Sequence, residues 1–360
     1  MYCLGVDEAG YGPRLGPLVI SASLWELPTG LAPDQMYQRL CRAITTKSSG
    51  RTLSSRSSPP GATPPNQVSR SVRSARPLPH PTDTQRPVDF PPLVLADSKL
   101  VYTRLGRAGL ERTVLAMLAG AGKRPTDWAE LVEAVALDSE SRQSALAWYP
   151  AYWPQVPESL SAEEIAQLAP WVARAMAEQG IRLLGLRSVL VFPERFNRLV
   201  HQYGNKATML SCESLELVRR ILGELPAGPV QVLCDKHGGR DRYEHLISET
   251  FAASFFQPAQ VNPIQQSRQE SIYQLQTANG PVEFRFLCGG EAMMPVALAS
   301  MLSKYLRELA MEAWNRFWAE QTPGIQPTAG YPLDARRFRA EIAARQTELG
   351  IPDSAIWRCR

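Results

Sequence analysis

The sequence predicts an α/β fold: a mixed sheet flanked by helices, carrying one disordered insertion and one extra helical insertion. Three observations support this. Short apolar runs with two-residue alternation recur along the chain, and several end in an acidic residue. Three longer stretches repeat their apolar residues at helical spacing. Early strands come first, then alternating helix and strand, then helices, an order that suits a sheet with helical layers.

The first strand is expected over Tyr2–Asp7 and the second over Leu18–Leu27, joined by a turn rich in glycine and proline. Asp7 and Glu8 stand side by side where the first run ends. Acids at the end of a buried strand are costly unless their charge is compensated. Successive strand residues point to opposite faces, but a turn at Ala9-Gly10 lets both carboxylates reach one place. A divalent cation is one compensator; a surface acid pair at a hairpin entrance is the other reading of the pair alone.

Residues 46–92 hold ten prolines and nine serines among 47 residues, with seven basic and two acidic side chains. Such a segment cannot bury enough surface to offset the cost of ordering it, so it is expected to be disordered. A first helix follows over Leu100–Leu118. Residues 120–180 read as a further helical insertion around Trp148, Tyr149, Tyr152 and Trp153, aromatic residues expected to pack as a hydrophobic plug. A third strand is expected over Arg182–Phe192. A helix over 210–225 carries the stripe Leu210, Leu217, Val218, Ile221, Leu222, Leu225.

Strands over Val230–Asp235 and Val282–Leu287 come next. A long helix carrying Val296, Leu298, Leu302, Tyr305, Leu306, Leu309, Ala313 and Phe317 is stopped by Thr322-Pro323-Gly324. The expected organisation is one unit over 1–335, interrupted by the two insertions, and a helical extension over 336–360.

The chain has 360 residues and net charge +4. Outside 46–92 there are 39 − 7 = 32 basic and 35 − 2 = 33 acidic residues, so the folded part is not globally basic. A nucleic-acid partner would have to meet basic charge gathered in a groove. Six cysteines form no Cys-x-x-Cys pair, which argues against zinc. No run approaches the length of a membrane span. No charged leader or apolar signal region precedes the first motif, and a cytoplasmic location is expected.

Four segments together carry a family resemblance. Gly5-Val6-Asp7-Glu8-Ala9-Gly10-Tyr11-Gly12-Pro13 with Gly16-Pro17 resembles the N-terminal signature of type 2 and type 3 ribonucleases H. Asp97-Ser98-Lys99-Leu100, Val232-Leu233-Cys234-Asp235, and Glu291 with Ala299-Ser300-Met301-Leu302-Ser303-Lys304 resemble the later motifs in the same order. The resemblance covers about residues 1–45, 93–118 and 185–335 and implies a ribonuclease H-like fold.

It also implies a metal-dependent endonuclease that hydrolyses the RNA strand of RNA–DNA hybrids with two Mg²⁺ or Mn²⁺ ions. Asp7, Glu8, Asp235 and Glu291 would be both the catalytic acids and the metal ligands. Gly10, Tyr11, Gly12, Ser98, Lys99, Ser300, Lys304 and Tyr331 would contact the substrate. An all-oxygen ligand set suits these hard cations.

Some positions depart from the family pattern. Tyr11 stands where type 2 enzymes carry Arg, and a Glu at 291 is more typical of type 3. Glu308 resembles a further acid on the long helix and is held in reserve. Asp97 is read as a helix cap, Asn205 as a helix-start residue, and His237 as an exposed loop histidine. A non-catalytic nucleic-acid-binding relative, or a nuclease of the same fold acting on another nucleic-acid structure, are the alternatives.

Overall fold

A computed structural model of the chain describes residues 1–47, 90–142, 146, 148–149, 155–252 and 258–359. Nearly all of the 46–92 insertion, and Pro150–Pro154 of the aromatic segment, lie outside these residues.

Nine strands occur among the described residues: β1 (Tyr2–Ala9), β2 (Leu18–Glu26), β3 (Ile44–Thr45), β4 (Leu93–Val94), β5 (Arg182–Val191), β6 (Val230–Asp235), β7 (Val261–Gln266), β8 (Glu270–Thr277) and β9 (Gly280–Leu287). Seven form one mixed sheet in the order β5-β2-β1-β6-β9-β8-β7; β3 and β4 pair separately. The centre is parallel, β1 with β6 and β6 with β9, and the outer pairings are antiparallel.

The helices are α1 (Met36–Arg39), α2 (Ser98–Gly120), α3 (Trp128–Val135), α4 (Ser139–Arg142), α5 (Ala162–Glu178), α6 (Pro193–Tyr203), α7 (Lys206–Glu224), α8 (Glu244–Thr250), α9 (Met294–Gln321), α10 (Pro332–Glu348) and α11 (Asp353–Ile356). A mixed sheet flanked by helices is therefore the architecture, as expected. The β7–β8 hairpin is additional to the expected strands, and α2 changes direction at Gly106, whose φ is +65°.

The two faces of the sheet bury separate apolar layers. Cys3 and Leu233 face the layer of α2, α5 and α9, whereas Leu4, Val6, Val232 and Cys234 face the layer of α6, α7 and α8. Helix α9 comes unusually close to β1. A Cβ added to Gly5 would collide with the Pro295 backbone, and Ser23 Oγ donates to Pro295 O at 2.6 Å. Trp148 and Tyr149 are buried, with Trp148 edge-on to Trp314 at 4.6 Å. These two residues of the aromatic segment are core, as the plug reading expected. No described helix is long and apolar enough to cross a membrane.

One charged cluster ties the helical insertion to α6 and α7. Arg195 on α6 meets Asp138 at 2.7 Å and Glu213 on α7 at 2.9 Å, all three largely shielded from water. Removing one member of a shielded ion pair strands the other. Arg195→Met is expected to cost about 3 kcal/mol by this argument, measured as a fall in urea midpoint. An unchanged midpoint would show that the cluster is solvated in solution.

Candidate active site

Strand parity places the first acids. Asp7 is four residues after Cys3 and Asp235 two after Leu233, so both share the face covered by α9. The β1–β6 register pairs Val6 with Cys234, which leaves Asp7 and Asp235 one step further along adjacent parallel strands. Neighbouring strands are roughly 4.8 Å apart. The two carboxylates thus meet at the carboxyl ends of the central strands.

Glu291 arrives from the turn that starts α9. Gly290 N–H donates to Asp235 Oδ1 at 2.7 Å. A Cβ at Gly290 would sit 3.1 Å from Asp235 Cα, so a glycine here lets the turn press against the strand end. The Ser300 hydroxyl donates to Glu291 and lies 2.9 Å from Ser98 Oγ. Ser98 N–H points at Glu291 Oε1 from 3.4 Å.

Asp97 does cap α2, accepting from Leu100 N–H at 2.8 Å. It also shares a hydrogen bond with Glu291, a role the sequence reading did not assign to it.

The carboxyls sense one another. Burial first, and then Glu8, raise the pKa of Asp7 well above the carboxylate range. Burial and Asp235 push Glu8 up to about 7, with Lys99 opposing. Burial raises Asp235 against the pull of the Gly290, Gly289 and Lys236 backbone groups and of Lys99. Burial, Asp97 and Asp7 push Glu291 up to about 8. Glu8 therefore belongs electrostatically to the same group, despite its opposite strand parity.

Among the described residues, no three His, Cys, Asp or Glu side chains already form a cage for a metal ion. Two of the acids are engaged by internal donors: Glu291 by Ser300 and the Ser98 amide, and Asp235 by the Gly290 amide. The donor set is nonetheless all carboxylate oxygen, on one end of the sheet, within the field of Lys99. That chemistry fits a hard divalent cation, which would relieve the mutual repulsion.

The other predicted residues take distinct places. Gly10 has φ +92°, a backbone conformation that side chains disfavour. A Cβ there would also lie 2.6 Å from Pro17 O. Gly12 is exposed, and the nearest atom to an added Cβ is Tyr331 Cε1 at 3.8 Å. Tyr331 is exposed as well, at the start of α10. Tyr11 is half-buried with Lys206 Nζ over its ring at 4.6 Å. Lys99 is exposed.

Lys304 is engaged elsewhere, paired with Glu308 at 2.5 Å and lying over the Tyr102 ring at 4.5 Å. Glu308, also near Arg307, is that ion pair's acid. Asn205 caps α7 through Thr208 N–H at 2.8 Å.

The exposed-loop reading of His237 is corrected. The ring is buried, with Nδ1 3.0 Å from Ser211 Oγ, and lies edge-on to Tyr243 and Phe286. Burial lowers its pKa to about 4, so it is neutral at physiological pH. A cleft of about 1120 Å³ lined by Val230, Gln231, Val282 and Glu283 opens at the opposite ends of these strands, away from the acids.

No protein-family model matches the chain, and no curated protein matches it. Solved structures do show likenesses. Ribonuclease H2 from Pyrococcus horikoshii OT3 is similar at 13% identity and TM-score 0.42, over 99% of this chain and 92% of that one. RNase HII from Archaeoglobus fulgidus, in a complex with PCNA, is similar at 13% identity and TM-score 0.37, over 100% and 95%. Bst-RNase HIII in complex with Mn²⁺ is similar at 14% identity and TM-score 0.38, over 99% of this chain and 66% of that one.

Proposed function

We propose that this chain is a divergent ribonuclease H of the type 2/type 3 kind, a metal-dependent endonuclease that hydrolyses the RNA strand of RNA–DNA hybrids. What supports the reading is that Asp7, Glu8, Asp235 and Glu291, carried by three segments far apart in sequence, lie close enough to raise one another's pKa at one end of the central strands. Residues 1–335 would form the catalytic unit and 336–360 an extension of it.

Asp7, Glu8, Asp235 and Glu291 would hold Mg²⁺ or Mn²⁺. Two such ions supply an activated water and stabilise charge on phosphorus and on the leaving oxygen. The chain's own residues would do the rest. Ser300 and the Ser98 amide orient Glu291. Lys99, exposed beside the acids, would meet a phosphate.

The Gly10-Tyr11-Gly12 loop has little side-chain bulk at Gly12, so backbone groups there would approach a ribose 2′-hydroxyl, the group that separates RNA from DNA. Tyr331 would pack on a sugar beside it. Lys304 would reach the strand only by leaving Glu308.

Purified protein incubated with labelled hybrid, duplex DNA and duplex RNA, in Mg²⁺ or Mn²⁺, tests the reading. Cleavage confined to the RNA strand of the hybrid is expected. Preference for duplex DNA overturns it in favour of a nuclease for another structure. Hybrid binding without turnover overturns it in favour of a non-catalytic relative.

A further inference from the structure

The loop between the first two strands contains Pro13 and Pro17, which have no N–H. It is therefore short of internal donors for its own carbonyls, and inward-facing carbonyls without partners are costly. Arg307 on α9 donates to one of them, Leu15 O, at 3.5 Å, and a second donor comes from the other end of the chain. Arg358, just beyond α11 and completely buried, donates from Nη2 to Gly10 O at 2.7 Å and also to Pro13 O. Those carbonyls bracket Tyr11-Gly12.

The segment around Arg358 is itself pinned. Arg358 N–H donates to Arg14 O at 3.0 Å. Asn197 on α6 grips both sides of Arg358: its Nδ2 donates to Trp357 O at 2.9 Å and its Oδ1 accepts from Cys359 N–H at 2.7 Å. The Arg14 and Arg339 guanidinium groups lie over the Trp357 ring, at 5.1 and 4.8 Å.

Net stability is a poor explanation for an arginine here. Burial, and then Arg307 and Arg14, push Arg358 well below the ordinary arginine range. Its Nε and Nη1 have no hydrogen-bond partner among the described residues. The Phe196 ring, 4.6 Å from the guanidinium, offsets part of this cost. What the guanidinium gains is geometry, since one nitrogen ties both ends of a four-residue turn.

We propose that Arg358 is a positioning residue, which holds the Gly10–Pro13 turn in the single shape that exposes Gly12 and seats Tyr11 half-buried beside it. The inference rests on the reading of that turn as a substrate contact. Arg358 touches no reacting group, and acts through the turn.

Hydrogen–deuterium exchange on the full chain tests it without relying on activity. Wild type is compared with Arg358→Ala, Arg358→Lys and Asn197→Ala. In Arg358→Ala, amides in 9–16 are expected to exchange about tenfold faster or more, as befits loss of charge-assisted bonds, while peptides from β6 and β9 keep their rates. Lysine keeps the charge but loses the planar fork, so Arg358→Lys should recover part of the protection.

On hybrid substrate, KM should rise about tenfold with kcat within about twofold, the pattern of lost substrate binding. Unchanged exchange in 9–16 overturns the proposal. So does an equal rise across β6 and β9, which would mean a general loss of stability. If Arg358→Ala does not fold, Arg358→Lys and Asn197→Ala are judged by the same contrast. If wild type fails to cleave hybrid, the nuclease reading falls, and the exchange contrast still decides whether Arg358 holds the turn.

Discussion

Asp7→Asn is expected to lower hybrid cleavage by at least about 10³-fold, and Asp235→Asn by a similar factor. Each removes a ligand charge from a site where several kcal/mol of transition-state stabilisation would pass through bound cations. A second readout separates this from damage to the fold. Without divalent cation, Asp7 is a buried acid crowded by Glu8 and Asp235, so its amide should raise the thermal midpoint.

Adding Mn²⁺ should then stabilise wild type, because a ligand that binds only the folded state raises the midpoint, and should do little for the variant. Activity within about tenfold of wild type would reject the site. A lower metal-free midpoint would mean that Asn disrupts the strand end and that the activity loss is uninformative about metal binding.

Gly5→Ala should be the most damaging small substitution in the sheet. The added methyl would occupy the position of the Pro295 backbone at the start of α9. Backbone cannot swing aside as a side chain can, so either α9 or β1 must move. Overpacking of this kind costs about 3 kcal/mol or more. The damage would also spread to function, since β1 carries Asp7 and α9 carries Ser300. A urea titration followed by circular dichroism measures the loss. A wild-type midpoint would show that helix and strand part easily here.

The central strands were legible in the sequence because they alternate and are bounded by turns. Val230–Asp235 has the expected limits, and Leu18–Glu26 ends one residue earlier than expected. The β7–β8 hairpin was not legible because β7 is an edge strand whose side chains are mostly exposed, with Pro263 and a register shift beside it. An exposed edge needs no apolar pattern.

His237 was misread because Lys236-His237-Gly238-Gly239 looks like open loop. Tyr243, which helps cover it, lies six positions on, but Phe286 and Ser211 come from other elements of the chain. The Asp97–Glu291 contact has the same character: the cap was local and readable, its second partner was not. Lys304 and Glu308 were read separately, as a substrate contact and a reserve acid, although opposite charges four residues apart on a helix favour the pair that forms.

Asp7 and Asp235 reach each other only when the first and sixth strands lie side by side, and Glu291 joins them from the turn before α9. Contacts this distant in sequence form late and at a high entropic cost. If the proposed function holds, a ribosome-bound chain would therefore stay chemically silent until Glu291 and α9 had emerged and docked. Synthesis itself would then act as a safety catch, so that half-made copies of such a nuclease could not cut the nucleic acid around them.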